Sequence, residues 1–421
     1  MRKTHCLFVL IIKIVLVVNS GTVFAQDTIS CTIDKAEELF LKKNLFLLAA
    51  QCNIDKQNAL VIQSKAYPNP VFSANFNMYD PENDIYFHND KTGQKDFMFE
   101  QLIVLGGKRK TAIDIAKSNR ELAEAEFTDI LRNLKFQLHK SFYNIYQYQN
   151  NVKKFNQQLF LLDTLINSYE IQASKGNISF KDVIRLKSVY LKINNERAEN
   201  IQLLNEENKN LQLLIQEQGI ISPKVNENAI DSYTKLFPLD EIETNALSKR
   251  PDLVMSNKMT QIAELKYKFQ KRTNIPDAVF NVSTDQRGGA FRNQINAGIA
   301  MPLPLWNYNR GNIKAAKSDV SFSNYMLDER KKEIKAEVFE AYQNMERSIK
   351  EYNKAKLLYN ANFETVFKSV NENFAKNNIS IIEFVDFIES YNDALKEVER
   401  IKSQISINAA LINYVSGTKL Y

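Results

Sequence analysis

Two copies of one pattern, about 200 residues apart, constrain this fold more than any other feature of the sequence. The first copy begins Tyr-Pro-Asn-Pro-Val-Phe at Tyr67 and ends in a helical run at Ser118, and the second begins Ile-Pro-Asp-Ala-Val-Phe at Ile275. Each copy holds two short alternating runs and then enters a helix that contains Ala-Lys-Ser. Self-similarity at a fixed offset indicates an architecture built from repeated units. The chain is therefore predicted to fold as two related halves.

The alternating runs predict β-strands with one apolar and one polar face. The apolar positions are Phe72, Ala74, Phe76, Met78, Phe280, Val282, Ile295, Ala297, Ile299 and Met301. Runs of about ten residues have the length that a tilted strand needs to cross a bilayer, and this alternation is typical of membrane strands. A soluble hairpin packed on a helix gives the same pattern, so one hairpin alone leaves both interpretations open.

The N-terminus favours export from the cytoplasm. Arg2 and Lys3 precede an apolar run over residues 6–18, and small residues follow up to Ala25. A basic start, a short apolar core and a small residue before the cut are typical of a secretory signal peptide, here predicted as residues 1–25. No other segment has 18 uninterrupted apolar residues. A mature chain that entered a membrane would therefore do so as strands of a closed barrel.

The net charge constrains the class of partner, and the cysteines constrain the possible disulfides. The formal charge is +6, and removal of Arg2, Lys3 and Lys13 with the signal peptide leaves about +3, which is too weak to indicate a nucleic-acid partner. Cys31 and Cys52 remain in the exported chain. They could form one disulfide or stay as two free thiols, and the sequence does not decide between these alternatives.

The sequence holds no recognisable catalytic set. His88 falls in a predicted loop, and His139 falls mid-helix, where it is interpreted as a packing residue. Ser168 and Ser179 have no base near them in the sequence, and the glycine pair at Gly106 lacks the phosphate-binding pattern. We therefore predict neither enzymatic activity nor a cofactor or resident metal.

Long helices follow each predicted hairpin. A first helix is predicted over Asp34–Lys65. Both Thr111–Lys175 and Ile313–Lys376 lack Pro and Gly, and their apolar residues recur at spacings of three, four and seven. Each would approach about 100 Å in length, so each needs coiled-coil neighbours. Second helices are predicted over Phe180–Gln218 and Ile381–Val415.

The repeat gives a domain division. Residues 26–218 form the first predicted repeat, consisting of a helix, a β-hairpin and a pair of long helices. Residues 219–240 are an irregular connector with two prolines. Residues 241–421 form the second predicted repeat, with the same order of elements.

The turn between the long helices also repeats, as Lys-Gly-Asn-Ile-Ser in the first half and Lys-Asn-Asn-Ile-Ser in the second. Gly176 suits a left-handed helix end, and Asn377 is the next most tolerant residue for that position. A turn alone does not require the following Ile-Ser. A contact role for the turns and a simple capping role for Ile178 and Ile379 therefore both stay open.

Together these motifs resemble the TolC-like outer membrane efflux proteins. The matching features are the proline-containing entry to each hairpin, Leu105-Gly-Gly-Lys-Arg, the run Ala-Leu-Ser-Lys-Arg-Pro-Asp-Leu at residues 246–253, and the repeated helix turn. The resemblance spans residues 26–417. Departures from the family pattern are Asn377, where the family usually has Gly, and Asn309-Arg-Gly, where a Gly-Gly-Arg type of turn is common.

The resemblance implies the fold class, which is mainly α with membrane β. It implies a homotrimer in which each protomer gives four strands to one shared β-barrel, continued by a long coiled-coil α-helical barrel. The localisation implied is the outer membrane, with a large periplasmic helical portion. The partners implied are a periplasmic adaptor (a membrane fusion protein), an inner-membrane pump of RND or ABC type, and outer membrane lipid.

The resemblance also assigns candidate site residues. The adaptor-contact tips would be Gly176, Asn177, Ile178, Ser179, Asn377, Asn378, Ile379 and Ser380. The pore gate would be Asp182, Glu383 and Asp386. Rings of carboxylates favour cations and can constrict a pore through ion pairs.

Two alternative functions are therefore predicted, and the first is preferred. The first is a passive exit duct of a tripartite efflux or type I secretion system. The alternative is a periplasmic coiled-coil adaptor or scaffold without a pore. The sequence does not identify the transported substrate.

Overall fold

A computed structural model describes residues 28–288, 290–359, 362–376 and 378–421 of the chain. The predicted signal peptide and Asn377 lie outside the described residues. The chain divides into two compact units. The first comprises the described residues up to Asn44, 137–235 and 347–407, and the second comprises 45–136, 236–346 and 408–421. This division differs from the two predicted sequence repeats, residues 26–218 and 241–421, whose boundaries stay a prediction.

The elements alternate between short strands and long helices. The strands are β1 (Thr28–Cys31), β2 (Val71–Phe76), β3 (Tyr79–Asp80), β4 (Ile85–Tyr86), β5 (Gln94–Ile103), β6 (Ile220–Pro223), β7 (Ala278–Arg287) and β8 (Phe291–Ala300). The helices are α1 (Ile33–Lys43), α2 (Leu45–Ser64), α3 (Lys108–Ser174), α4 (Phe180–Ile215), α5 (Glu227–Asp231), a 3₁₀ turn (Ser232–Thr234), α6 (Leu239–Lys249), α7 (Pro251–Arg272), α8 (Arg310–Leu358), α9 (Asn362–Ala375) and α10 (Ile381–Ser416).

Helices α3, α4 and α10 confirm the predicted long helices to within a few residues, but two predicted helices are divided. The helix predicted over Asp34–Lys65 ends at Asn44, which is buried and donates its side-chain amide to the carbonyl of Leu214 at 2.9 Å. That contact lies 170 residues away in sequence, so helical periodicity could not reveal the break. The prediction of one continuous helix over Ile313–Lys376 is also wrong, because α8 ends at Leu358 and α9 begins at Asn362.

The predicted irregular connector contains a strand that sequence patterns did not reveal. Strands β1 and β6 pair in parallel, with Thr28 opposite Ile220 and Cys31 opposite Pro223. Lys224 extends the pairing, since its N–H donates to the carbonyl of Cys31 at 2.8 Å. The two cysteines are free, Cys31 buried and Cys52 exposed, so the disulfide alternative is wrong.

The core of the first unit packs two helical hairpins against each other. Its buried residues come from α3, α4, α9 and α10: Phe155, Leu159, Leu162, Ile166, Leu186, Val189, Ile193, Phe374, Phe384 and Ile388. Along α3, α4 and α10 these residues recur at spacings of three, four and seven, which are those of interlocking helical faces, as the sequence predicted.

The second unit holds a four-stranded antiparallel sheet in the order β2-β5-β7-β8. The register places Phe72, Phe99, Val282 and Ala297 in one row across the sheet, and Gln101, Phe280 and Ile299 in another. Cross-strand partners point to the same side, so both rows lie on one face. The predicted hairpins and their alternation are confirmed.

A buried ion cluster lies in the second unit, on the Arg-Pro-Asp segment that starts α7. Arg250 is fully buried and places Nη2 at 2.6 Å from both Asp252 Oδ2 and Glu337 Oε2. Asp252 also accepts from Arg132 at 3.1 Å and from Arg330 at 2.5 Å. Three guanidinium groups therefore converge on one carboxylate, a geometry in which each charge is paired.

Within the described ranges, no helix is both long enough and apolar enough to cross a membrane.

Candidate functional site

The first helix turn, between α3 and α4, is closed by backbone hydrogen bonds. Gly176 has a φ of +75°, its N–H donates to the carbonyl of Ala173 at 3.0 Å, and the N–H of Asn177 donates to the carbonyl of Gln172 at 3.0 Å. This pair of bonds is a Schellman motif, which needs a left-handed residue where Gly176 stands. A side chain at Gly176 would meet no atom within 4 Å, so the turn is open to solvent at that point.

The second helix turn, between α9 and α10, has the same closing bond. The N–H of Asn378 donates to the carbonyl of Asn373 at 2.9 Å, and the Asn378 side-chain amide donates to Asn373 Oδ1 at 3.1 Å. In the first turn, the Asn177 side chain makes the equivalent bond to Gln172 Oε1 at 2.7 Å. The position between these contacts in the second turn is Asn377, outside the described residues.

The two turns differ at the start of the following helix. Ser179 caps α4 by accepting the N–H of Lys181 at 3.2 Å. Ser380 caps α10 by accepting the N–H of Glu383 at 3.2 Å, while its own N–H donates to Glu383 Oε2 at 2.8 Å. This reciprocal pair is a capping box. The sequence Ser-Ile-Ile-Glu carries its signature, so it could have been recognised before the structure.

The residues behind the turns form an aromatic stack within the first unit. The rings of Phe374 and Phe384 lie 3.9 Å apart at 7°, and Tyr169 stacks on Phe374 at 5.6 Å. Ile379 is half-buried and packs against the same cluster. Ile379 therefore does close the helical core, which was one of the two alternatives, while Asn177, Asn378 and the two cap serines stay exposed.

The three candidate gate acids lie near the N-terminal ends of α4 and α10. Asp182 is half-buried near Tyr169, whose pKa is raised by burial and, to a smaller extent, by the Asp182 charge. Glu383 and Asp386 are exposed and one turn apart on α10. Hydrogen bonds from the N–H and hydroxyl of Ser380 hold the pKa of Glu383 below its usual value. Glu383 thus has a local capping task in addition to any role in a pore.

The sheet of the second unit is the other candidate functional surface. The face opposite the apolar rows carries Glu100, Asn281, Ser73, Ser283, Asn296, Asp96, Asp285 and Gln294, as the register requires. On the apolar face, no layer formed by the described residues covers large side chains such as Ile295 (77% exposed) and Phe72 (67%). An exposed apolar surface of this kind indicates contact with lipid or with another protein.

The two histidines of the described chain are engaged in local pairs. His88 bridges Asp80 at 2.7 Å and Thr92 at 2.9 Å in the loop between β2 and β5. His139 contacts Glu37 at 2.5 Å. Over the part of the chain that the structure describes, no three His, Cys, Asp or Glu side chains are grouped closely enough to hold a metal ion.

Comparisons with known proteins agree with this architecture. No family model matches the chain. A curated relative, the cobalt-zinc-cadmium resistance protein CzcC of Cupriavidus metallidurans, is 23% identical over 301 residues, which cover 70% of this chain and 69% of CzcC. The crystal structure of CusC, described in connection with transmembrane channel formation, covers 94% of this chain and 96% of its own, with a TM-score of 0.75 and 14% identity. The Campylobacter jejuni outer membrane channel CmeC covers 92% of this chain and 87% of its own, with a TM-score of 0.74 and 14% identity.

The chain has the fold of solved outer membrane channels, since CusC and CmeC each match it over more than nine tenths of its length. The predicted fold class, mainly α with a β domain as in the TolC-like channels, is confirmed, while the outer membrane location stays a prediction. The matched proteins are named as channels or as a resistance protein, and not as enzymes. The roles of individual tip and gate residues stay predictions.

Proposed function

We propose that this chain is the outer membrane exit channel of a tripartite efflux or type I secretion system. It would assemble as a homotrimer, in which each protomer gives four strands to a shared barrel. A periplasmic adaptor would contact the helix turns, and an inner-membrane pump of RND or ABC type would supply the energy. The chain itself would conduct solute passively.

The observation that carries this proposal is the two-faced sheet. Four strands present one apolar and one polar face, and among the described residues both outer strands, β2 and β8, have an unpaired edge. Exposed edges in lipid are costly, so the strands need neighbours from other copies before they can cross a bilayer. An exposed apolar face such as that around Ile295 also argues against the alternative, a soluble periplasmic adaptor.

The transported substrate is inferred only from the curated relative. CzcC is named as a cobalt-zinc-cadmium resistance protein, so divalent metals are the first substrate class to test. The test is growth of a deletion strain on cobalt, zinc and cadmium, and on detergents, dyes and antibiotics, with a plasmid-rescued control. Sensitivity limited to metals would support metal export, and broad sensitivity to amphiphiles would favour drug export instead. Recovery of the protein as a soluble monomer would contradict the channel itself.

The tip contact can be tested at Gly176. Gly176→Leu should fold, because nothing lies within 4 Å of the position, although the positive φ costs about 1–2 kcal/mol. If the adaptor contacts this turn, the added side chain should reduce rescue of the deletion strain at least tenfold. The amount of protein in the outer membrane should be unchanged.

The matched control for Gly176→Leu is Gly288→Leu, at another glycine of positive φ (+57°), where an added Cβ would meet only Thr92 O at an ordinary contact distance of 3.4 Å. This control should retain rescue. Full rescue by Gly176→Leu would remove the first turn from the adaptor contact.

The variant Glu383→Gln distinguishes a role of Glu383 in a pore gate from its role in the capping box. Glutamine can take the same place in a capping box but carries no charge. If the negative charge constricts the pore, Glu383→Gln combined with Asp386→Asn should raise conductance several-fold in planar bilayers and increase antibiotic leak in cells. Conductance equal to the wild type would assign Glu383 to helix capping alone.

Removal of the Ser380 capping box provides a comparison for the charge-neutral double variant. Ser380→Ala should cost about 1 kcal/mol in helix stability, as for other N-caps, and leave both acids charged. If Ser380→Ala opened the pore as far as the charge-neutral pair, the effect would come from loosening of α10 and not from its charges.

A further inference from the structure

We propose that the connection between β8 and α8, with the first two turns of α8, binds the headgroup of an anionic phospholipid in the membrane leaflet that faces the periplasm. This inference rests on the proposed function, since it requires the sheet to lie in the outer membrane. It concerns a segment that the channel function leaves unexplained. The connection after β5 takes residues 104–107, whereas the connection after β8 takes residues 301–309.

The longer connection carries side chains suited to a membrane interface. Its sequence is Met-Pro-Leu-Pro-Leu-Trp-Asn-Tyr-Asn. Trp306 is 90% exposed, and Leu303, Leu305 and Tyr308 are exposed with it. A contiguous group of large apolar side chains exposed to water indicates a contact surface, and Trp and Tyr are enriched where lipid tails meet headgroups.

The sheet register places this connection at the helical end of the sheet. Ala300 at the end of β8 pairs with Val279 near the start of β7, and Ile103 at the end of β5 pairs with Ala278. The entry to β2 lies at the same end, since Val71 pairs with Glu100. The helical end is the periplasmic side of a channel of this class. The opposite end of the sheet carries the polar loop that contains His88.

A cation stacked on a tyrosine recurs at this end of the sheet. The guanidinium of Arg310 lies 5.3 Å from the ring centre of Tyr308, and that of Arg109 lies 3.9 Å from the ring of Tyr67. An aromatic ring paired with a cation matches a bilayer interface, where the ring meets the acyl boundary and the charge meets phosphate.

Beside Tyr308, three cations line one open cavity of about 480 Å³. The lining residues are Asn274, Tyr308, Arg310, Ile313, Lys314 and Lys317. Arg310, Lys314 and Lys317 follow one another at spacings of four and three, so they share a face of α8. All three are exposed, and none forms an ion pair with a carboxylate among the described residues. Their charge is therefore available to an external anion.

The cavity also offers a polar group without a partner. The side-chain oxygen of Asn274 is buried and accepts no hydrogen bond within the described part of the chain. Burying such a group without a partner is unfavourable, and a rotation of the Asn274 side chain toward the cavity would let the hydroxyl or ammonium group of a lipid headgroup donate to this oxygen. Ile313 adds an apolar wall for the start of an acyl chain. Phosphate, a polar headgroup and acyl carbon therefore each find a matching side chain.

The energetic argument selects an anionic lipid over a neutral one. A Lys or Arg near an anionic membrane surface favours binding by about 1 kcal/mol, which is roughly a fivefold change in a binding constant. Three unpaired cations at one cavity should therefore give a clear preference for phosphatidylglycerol over phosphatidylcholine. The preference should weaken at high salt, because partly exposed charges are screened.

Trp306 gives a direct test, because it is the only tryptophan of the sequence. The full chain would be reconstituted into bilayers that contain brominated phosphatidylglycerol or brominated phosphatidylcholine with the same acyl chains. Bromine quenches tryptophan fluorescence on contact. We expect Trp306 to be quenched by both lipids, with an apparent affinity at least tenfold higher for phosphatidylglycerol.

The variant Arg310→Gln/Lys314→Gln/Lys317→Gln should remove most of this preference while Trp306 stays in contact with lipid. Lys332→Gln is the matched control, an exposed lysine farther along α8, and it should keep the preference. Equal affinity for the two lipids in the wild type, or an unchanged preference in the triple variant, would overturn the proposal. So would a Trp306 that neither lipid quenches, which would mean that protein covers the segment.

Conductance measured on the same vesicles separates this proposal from the channel proposal. Vesicles that conduct but show no lipid preference would leave the channel standing and remove the lipid site. Protein that does not insert would contradict the channel function, and the lipid site would fall with it.

Discussion

Replacing Asp252 by Ala is expected to lower the free energy of unfolding by about 3–5 kcal/mol, the range for breaking a buried ion pair. The carboxylate accepts hydrogen bonds from Arg132, Arg250 and Arg330, and Arg250 is fully buried. Removal of Asp252 would leave the positive charge of these guanidinium groups only partly neutralised. Glu337, at 2.6 Å from Arg250, would compensate for only part of the loss. The measurement is the shift in the denaturation midpoint of the purified protein.

Asp328→Ala is the control for this change. Asp328 pairs with Lys331 at 3.3 Å, but both side chains are well exposed, so the pair should contribute no more than about 1 kcal/mol. A loss below about 1 kcal/mol for Asp252→Ala would show that the converging arginines are accommodated without the carboxylate. It would contradict the structural role assigned to this cluster.

The same cluster predicts a pH dependence. Burial alone would raise the pKa of Asp252, but hydrogen bonds from Arg250 and Arg330 outweigh it and hold the pKa far below its usual range. A carboxyl with a depressed pKa in the folded state stabilises the protein above its unfolded pKa of about 3.9, and loses that contribution as pH falls toward the folded value. The difference in stability between wild type and Asp252→Asn should therefore be constant from pH 7 to 5 and shrink only below about pH 4.

The sequence predicted the elements whose pattern is local. Alternation placed Phe72, Val282 and Ala297 on the apolar side of their strands, and the sheet register puts all three in one row. The absence of Pro and Gly predicted one unbroken helix over Thr111–Lys175, and α3 runs unbroken through 67 residues. In these cases the periodicity of a single segment records which side chains share a face, and this information does not depend on distant contacts.

Features that depend on distant partners could not be predicted in this way. Asn44 ends α1 because its side chain reaches Leu214, and β1 becomes a strand only through its pairing with β6. The Arg-Pro-Asp motif was visible in the sequence, but nothing local indicated that Arg132 and Arg330 would meet Asp252. At the candidate site, the helix turns were predicted from Gly176 and the Asn-Ile-Ser pattern. Glu383, which the resemblance assigns to a pore gate, also forms a capping box with Ser380, and the local pattern Ser-Ile-Ile-Glu carries that signal.

The second large effect is expected from Ile295→Arg. Ile295 lies at the middle of β8, on the apolar face, and is 77% exposed in the single chain. If this face meets lipid, an arginine at mid-depth should cost about 2–4 kcal/mol, because a charge on the lipid side of a membrane strand is least tolerated near the midplane. We expect much less protein in the outer membrane fraction and loss of rescue of the deletion strain.

Asn296→Arg is the matched control, since it makes the same kind of change one residue farther along the strand. Asn296 pairs with Ser283 on the polar face, which would line the interior of the channel. There the charge meets water, so assembly should be retained while conductance or ion selectivity changes. A soluble hairpin would instead tolerate arginine at both exposed positions, because neither side chain is buried within the chain. Equal amounts of the two variants in the outer membrane would therefore contradict the lipid-facing assignment, and a deficit confined to Ile295→Arg would identify which face of the sheet meets the bilayer.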